Sequence, residues 1–294
     1  MKQTNTKSTT TQLNMSAQVI GKPLNVGTGF QALSFKHDQF NGLMDPLVMV
    51  DHYTMTQPTF GEHPHAGMSA VSILFEDSEG IFNNQDSLGN NIDLLPGDAY
   101  WLKAGAGAIH DEKPTLGSRT HGLQIFVNLP KACKHDTPDS LHVPANNMPI
   151  IKGNGFRVRV IFGNSNGITG APSPAQTFTA LDAYLENDAS YTHELKGEQS
   201  ALIYVISGSI NVHAGNQNVN IANGQSMTIQ TQSDKHQLHF ESTNEAHFVV
   251  LQGAPIQEPF AQKGPFVMSD LQELERVSAA YEAGLFGSIS SDFN

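Results

Sequence analysis

The sequence predicts an all-β protein built as two similar halves, and three observations carry that prediction. From about residue 17, short segments alternate apolar and polar residues, most clearly over residues 70–75, 121–127 and 156–162. Turn signals punctuate them at Asp86-Ser87-Leu88-Gly89-Asn90, Pro96-Gly97-Asp98 and Lys113-Pro114. Beyond a stretch rich in Gly, Ser and Pro, residues 163–174, a second set of strands repeats the order strand, Gly turn, strand, Gly-containing turn, strand.

In chain order, residues 1–16 are polar, carry Lys2 and Lys7, and lack the apolar core of a secretory signal, so they read as a disordered tail. Residues 17–155 form the first predicted unit, an all-β sandwich or barrel, and residues 156–294 the second. The second set comprises residues 201–206, the Gly208 turn, residues 210–213, the turns at Gly215-Asn216 and Asn223-Gly224, and residues 226–229 and 246–251. One helix is expected near the end: Ser269 caps it, Gln272 follows three residues on, and Leu271, Leu274, Val277 and Tyr281 share a face. Gly284 suits its left-handed C-terminal position, and its apolar stripe would pack on a barrel.

Composition excludes several function classes. A net charge of −12 repels phosphate backbones and argues against non-specific nucleic-acid binding. No apolar run reaches the roughly 18 residues of a membrane span. A single cysteine, Cys133, forms no internal disulfide and no Cys-rich zinc site, which makes a reducing cytoplasm the expected compartment. Any metal must therefore be held by imidazole and carboxylate groups.

Thirteen histidines supply such groups. His63 and His65 flank Pro64, and His110 precedes Glu112 by two residues. Residues two apart on a strand point the same way, so each pair faces one side of a sheet. If those faces line a barrel interior, three imidazoles and one carboxylate converge, a donor set suited to iron, nickel, manganese or copper. Spacing alone is a poor witness: 13 histidines in 294 positions yield about half of one His-x-His pair by chance, and structural histidines satisfied inside a core explain it as well.

The neighbouring motifs add weight. Leu43-Met44-Asp45-Pro46-Leu47-Val48-Met49-Val50-Asp51-His52 is followed by Glu62-His63-Pro64-His65-Ala66-Gly67, by the 86–90 and 96–98 turns, by Ala104-Gly105-Ala106-Gly107-Ala108-Ile109-His110-Asp111-Glu112, and by residues 122–130. Gly253-Ala254-Pro255-Ile256-Gln257-Glu258-Pro259 and Gly264-Pro265-Phe266-Val267-Met268 come later. In this order they resemble the pirin family, a branch of the cupins, from about Phe30 to Pro149 and again near the C-terminus. The resemblance implies a bicupin, two jelly-roll barrels packed face to face, with one metal in the first.

Carried over position by position, His63, His65, His110 and Glu112 match that family's ligands. Iron is the metal the resemblance implies, with Ni, Mn, Cu or Zn chemically admissible. Glu194-Leu195-Lys196 stands where a second His-x-His would be needed, so the second barrel is expected to lack a site. The chain departs from the family pattern at Ala66 and Ala106, where Arg is common, and at Ser69, where Glu is common. Metal binding is untouched by these changes, whereas substrate orientation is put in doubt.

The implied activity is quercetin 2,3-dioxygenase-type oxidation of a flavonol or related phenolic by dioxygen, with Glu112 as the base that takes the substrate's hydroxyl proton. The alternative is a non-enzymatic, metal-dependent interaction protein with a transcriptional or metabolic-enzyme partner. A third reading makes the barrel a structural remnant without metal. A monomer is expected, with neither nucleic acid nor membrane as partner.

Other residues have plainer readings. His236 and His239 look like a surface cluster, His193 like a remnant ligand of the second barrel, and Asp51 and His52 like packing residues. Trp101 is expected in the core, Cys133 is expected to be a solvated thiol beside Lys131, Lys134 and His135, and the acidic stretch 182–188 is expected to be a solvated loop.

Overall fold

A computed structural model describes residues 13–232 and 234–289. The alternating segments pair into two barrels, each made of one long sheet and one four-stranded sheet. In the first barrel the long sheet runs, in spatial order, Asp139–Val143, Ala99–Lys103, Met68–Leu74, Thr120–Asn128, Leu47–Met55, Phe30–Lys36 and Lys22–Val26. Its short sheet is His63–His65, Ala108–Pro114, Phe82–Asp86 and Asn91–Leu94.

The second barrel repeats this order except at its outer edge, where an N-terminal strand takes the place that Asp139–Val143 holds in the first. Its long sheet runs Leu13–Met15, Gln225–Thr231, Ser200–Ser207, Ala246–Gly253, Phe178–Leu185, Phe156–Phe162 and Ile150–Gly153, with Val19–Ile20 also pairing on Gln225–Thr231. Its short sheet is Ser190–Leu195, His236–Glu241, Ser209–Ala214 and Gln217–Ala222. The duplication suggested by the strand and turn order is thus a property of the hydrogen-bonded sheets.

Alternation explains how each long sheet is buried on both faces. On Ala99–Lys103, Tyr100 and Leu102 face the interior of the first barrel, while Trp101 faces the second barrel. Trp101 meets Phe162 and Phe178 edge-on, with ring centroids 5.1 and 5.4 Å away. Phe35, Phe75 and Val71 join Tyr204, Leu251 and Ile206 in the same cluster. The two long sheets therefore meet face to face, and Trp101 is a core residue, as its sequence context indicates.

A polar seam crosses this interface. Arg159, fully buried, donates from Nε to Asp182 at 2.8 Å and from Nη1 to the Gly97 carbonyl of the first barrel at 2.8 Å. The second oxygen of Asp182 is 2.5 Å from His247 Nε2. Burial alone would raise the Asp182 carboxyl, but Arg159 and His247 overcome it and hold the group at about 2. The acidic stretch expected to be a solvated loop is thus corrected: Asp182 lies mid-strand and is one half of a buried ion pair. The sequence shows no partner for it nearby, because Arg159 lies 23 residues upstream on the neighbouring strand.

The termini cross between the halves. Leu13–Met15 and Val19–Ile20 add to the second barrel, so part of the expected 1–16 tail is a paired strand, and residues 1–12 lie outside the described residues. The expected division at 155/156 falls within a hairpin, Ile150–Gly153 against Phe156–Phe162, that belongs wholly to the second sheet. The C-terminal segment returns to the first barrel. There Phe266 bridges Ala66, and the helix Leu271–Glu282 buries Leu274 and Val277 against Ala66, Phe266 and Met268.

Local details refine two further expectations. The helix is capped by Asp270, whose carboxylate accepts from the Glu273 N–H at 2.8 Å, while Ser269 N–H donates to the Glu273 side chain. Leu271 is exposed, so the buried stripe is narrower than the periodicity suggests; Gly284 takes the left-handed conformation expected, at φ +74°. Lys113-Pro114 ends a strand rather than making a turn, since Lys113 and Pro114 still pair with Asn83 and Phe82. No described helix is long and apolar enough to cross a membrane.

Candidate metal centre

His63 and His65 enter the first barrel on the three-residue strand His63–His65, which pairs antiparallel with Ala108–Pro114 so that His63 lies opposite His110. Pro64 between them has no N–H to donate and points away from the interior. Gly67, at φ +71°, makes the turn that follows, and a β-carbon there would collide with the Val267 carbonyl and Met268. The returning C-terminal segment thus passes directly beneath the histidine strand. Lys134 clamps the two together: its buried ammonium donates to the Gly67 and Val267 carbonyls, each at 2.8 Å, and to Asn128 at 2.5 Å.

The three imidazoles converge. His110 Nε2 lies 2.9 Å from both His65 Nε2 and His63 Nε2, and one donor nitrogen from each ring falls within 4.8 Å of the others. Burial lowers the pKa of all three, His65 to about 3 and His110 well below its ordinary value; the His63 ring adds to the effect on His65, and the His65 and His63 rings add to it on His110, whereas the Gly61 carbonyl and Asp111 oppose it on His63. Neutral rings that turn their Nε2 atoms on one another have lone pairs with too few protons to share. A cation resolves that conflict, and three neutral imidazoles are the donor set that first-row divalent ions accept. His63 is oriented through Nδ1–H to the Gly61 carbonyl at 2.8 Å, the kind of outer contact that fixes a ligand ring.

Glu112 stands beside this cluster rather than within it. Its Oε1 is 2.6 Å from Ser72 Oγ, and its Oε2 is 4.0 Å from His110 Nδ1. Burial pushes the Glu112 carboxyl up to about 7, with the charge of Asp111 adding to the rise and the Ser72 hydrogen bond opposing it. Ser72 also lies 2.9 Å from Gln124 Oε1. One hydroxyl hydrogen cannot serve both acceptors, so a proton resident on Glu112, or a reversed Gln124 amide, completes the network.

A cavity of about 270 Å³ opens onto the cluster. Phe30, Tyr53, Phe82 and Phe126 give it flat apolar walls, and His63, His65, Glu112, Asp51 and Gln124 give it a polar end. Its volume sits near the lower limit of small-molecule sites, roughly 300–1,000 Å³. Asp51 therefore lines the cavity rather than simply packing. On the opposite face of the same strand, His52 bonds Tyr204 at 2.5 Å and His121 at 2.7 Å, and His121 Nδ1 bonds Asp77 at 2.7 Å. That chain was not legible in sequence, because its members come from both barrels.

Comparison with known proteins decides the family. Residues 28–127 match the Pirin family and residues 180–287 match the Pirin C-terminal cupin domain. The chain belongs to the pirin family. Pirin of Rattus norvegicus is 30% identical over 233 residues, 79% of each chain. A putative quercetin 2,3-dioxygenase of Pseudomonas aeruginosa is 28% identical over 277 residues, 90% of this chain and 95% of that protein. Among solved structures, a quercetin 2,3-dioxygenase from Acinetobacter baumannii superposes with a TM-score of 0.83 at 25% identity, covering 95% of this chain and 99% of the other. The two barrels are cupins, as the sequence motifs indicate.

The positions where this pirin departs from the common pattern have distinct surroundings. Ala66 is fully buried under Phe266 and the C-terminal helix, so the chain fills with its own terminus the space beside the histidine strand. Ser69 is buried, with a hydroxyl lacking a partner, and Ala106 is exposed in the turn before His110, its N–H donating to Asp136.

Proposed function

We propose that this pirin is a metal-dependent oxygenase acting on a flat phenolic substrate of the flavonol type, with dioxygen as co-substrate. The observation that carries the reading is the aromatic-walled cavity whose polar end includes His63 and His65 of the three-histidine cluster. Similarity to proteins named as quercetin 2,3-dioxygenases supports the choice of substrate class. His63, His65 and His110 would hold the metal, and a rotation of Glu112 away from Ser72 would add a fourth, oxygen donor. When bound, a divalent first-row ion, iron by family resemblance, supplies Lewis acidity toward a substrate oxygen and redox capacity toward dioxygen.

The chain's own groups then have separable tasks. Phe30, Phe82 and Phe126 hold a planar ring and exclude water from the polar end of the cavity. Glu112, released from the metal position and back on the Ser72 hydroxyl, takes the proton of the substrate hydroxyl. Gln124 and Asp51 stand in the wall to meet further hydroxyl groups. The test is anaerobic loading of tag-free protein with Fe²⁺, followed by quercetin and oxygen. Ring-opened product is expected in the loaded protein and absent from the metal-free protein. Equal rates with and without metal, or no product at all, would refute the reading.

A further inference from the structure

The second barrel also gathers histidines, but on its outer face. On the short sheet, Ile210, Val212 and Ala214 point inward and are fully buried, which turns His213 outward. On the adjacent strand Leu238 and Phe240 point inward, which turns His239 and Glu241 outward. The register sets His213 directly opposite His239, and Glu241 lies two residues along on the same face. One carboxylate joins both rings: Glu241 Oε2 is 2.9 Å from His213 Nε2, and Oε1 is 3.0 Å from His239 Nε2.

We propose that His213, His239 and Glu241 form a second, surface site for a divalent first-row transition cation of the zinc type. Two imidazoles and one carboxylate are a donor set such ions accept, at about 2.0–2.2 Å from each donor. His239 is already oriented as a ligand would be, since its Nδ1 lies 2.8 Å from the Thr192 hydroxyl on the next strand. When that hydroxyl accepts from Nδ1–H, the Nε2 lone pair is left facing a carboxylate oxygen, and a cation between them replaces repulsion with two bonds. The ring centroids are 5.7 Å apart, so closing on one ion requires the side chains to rotate. All three are a third or more exposed and free to do so. Three protein ligands leave a coordination position for water or for a donor from another molecule.

The site is independent of the first-barrel cluster and can be tested apart from it. Metal-free full-length protein carrying His110→Ala, which breaks the first cluster, is titrated with Zn²⁺ by isothermal calorimetry. One Zn²⁺ per chain is expected, and adding His213→Ala and His239→Ala should abolish it. The outer-face changes leave both cores untouched, so unchanged circular dichroism and thermal midpoint confirm folding. Cu²⁺ bound to the His110→Ala protein should show hyperfine coupling to two imidazole nitrogens in electron paramagnetic resonance. No Zn²⁺ uptake by the His110→Ala protein, survival of its site after the two further substitutions, or a copper spectrum without nitrogen coupling would overturn the proposal.

Discussion

The two barrels share one strand order yet place their chemistry on opposite sides of the wall. In the first barrel the short sheet turns His63, His65 and His110 inward around a cavity. In the second, the equivalent strands Ser190–Leu195 and His236–Glu241 turn Tyr191, Leu238 and Phe240 inward, and these pack a closed apolar core with Ile210 and Val212. His193 also points inward there, but Ser165 at 2.7 Å and Gln252 at 2.7 Å satisfy both its ring nitrogens. The inward positions of the two short sheets coincide, with His193, Leu238 and Phe240 standing where His63, His110 and Glu112 stand in the first barrel, so the identity of the residues at those positions separates a candidate active site from a structural domain.

The largest effect should come from the first barrel's carboxylate. Glu112→Gln removes the proposed base, and turnover of the loaded enzyme should fall by about 10²–10⁴-fold while Zn²⁺ or Fe²⁺ still binds to the histidines. The matching change in the second barrel, His193→Gln, should leave turnover unaltered. Equal losses in the two variants, read by steady-state kinetics, would erase the distinction between the barrels.

The seam between the barrels comes next. Arg159→Ala removes the buried cation beside Asp182, leaving the carboxylate with its His247 contact, and should cost about 3–5 kcal/mol in urea denaturation, a typical figure for breaking a buried pair. Loss of the exposed pair Arg157 with Glu76 should cost about 1 kcal/mol or less. Acid should act on the same seam. Burial holds His52 and His65 neutral, each at about 3, so the metal-free folded protein resists protons that the unfolded chain takes up below 6.5. Their contribution is fully present above pH 6.5 and declines as pH falls toward 3. Asp182, held at about 2, adds a second loss as pH falls below about 4. Denaturation midpoints that stay flat between pH 7 and pH 4.5 would contradict this.

The smallest effect concerns the strap that the C-terminus lays over the first barrel. Asp270→Ala should destabilise by about 1 kcal/mol, whereas Ser269→Ala should have little effect; thermal unfolding distinguishes the two.

What was legible in the sequence follows from the range of the physics involved. The strands, the turn at Pro96-Gly97-Asp98 and the shared facing of His63 with His65 depend on neighbours one to four residues away, and alternation reveals them. Family motifs placed the third histidine, His110, which spacing alone left ambiguous. The Arg159–Asp182 pair, the chain from Asp77 through His121 and His52 to Tyr204, and the crossing of both termini depend on contacts between distant segments. An acidic run looks like a solvated loop until the arginine that neutralises it is seen. His213 and His239 escaped notice as a pair because they are 26 residues apart in sequence and meet only through sheet register.

The central claim is that the first barrel binds one divalent metal through His63, His65 and His110. X-ray absorption at the metal edge, on tag-free protein loaded with one Fe²⁺ per chain, tests it most directly when wild type and His110→Ala are compared. The account predicts imidazole scattering from three rings with light-atom ligands at about 2.0–2.2 Å in wild type, and loss of bound iron in the variant. Iron retained by His110→Ala with an unchanged spectrum would contradict it.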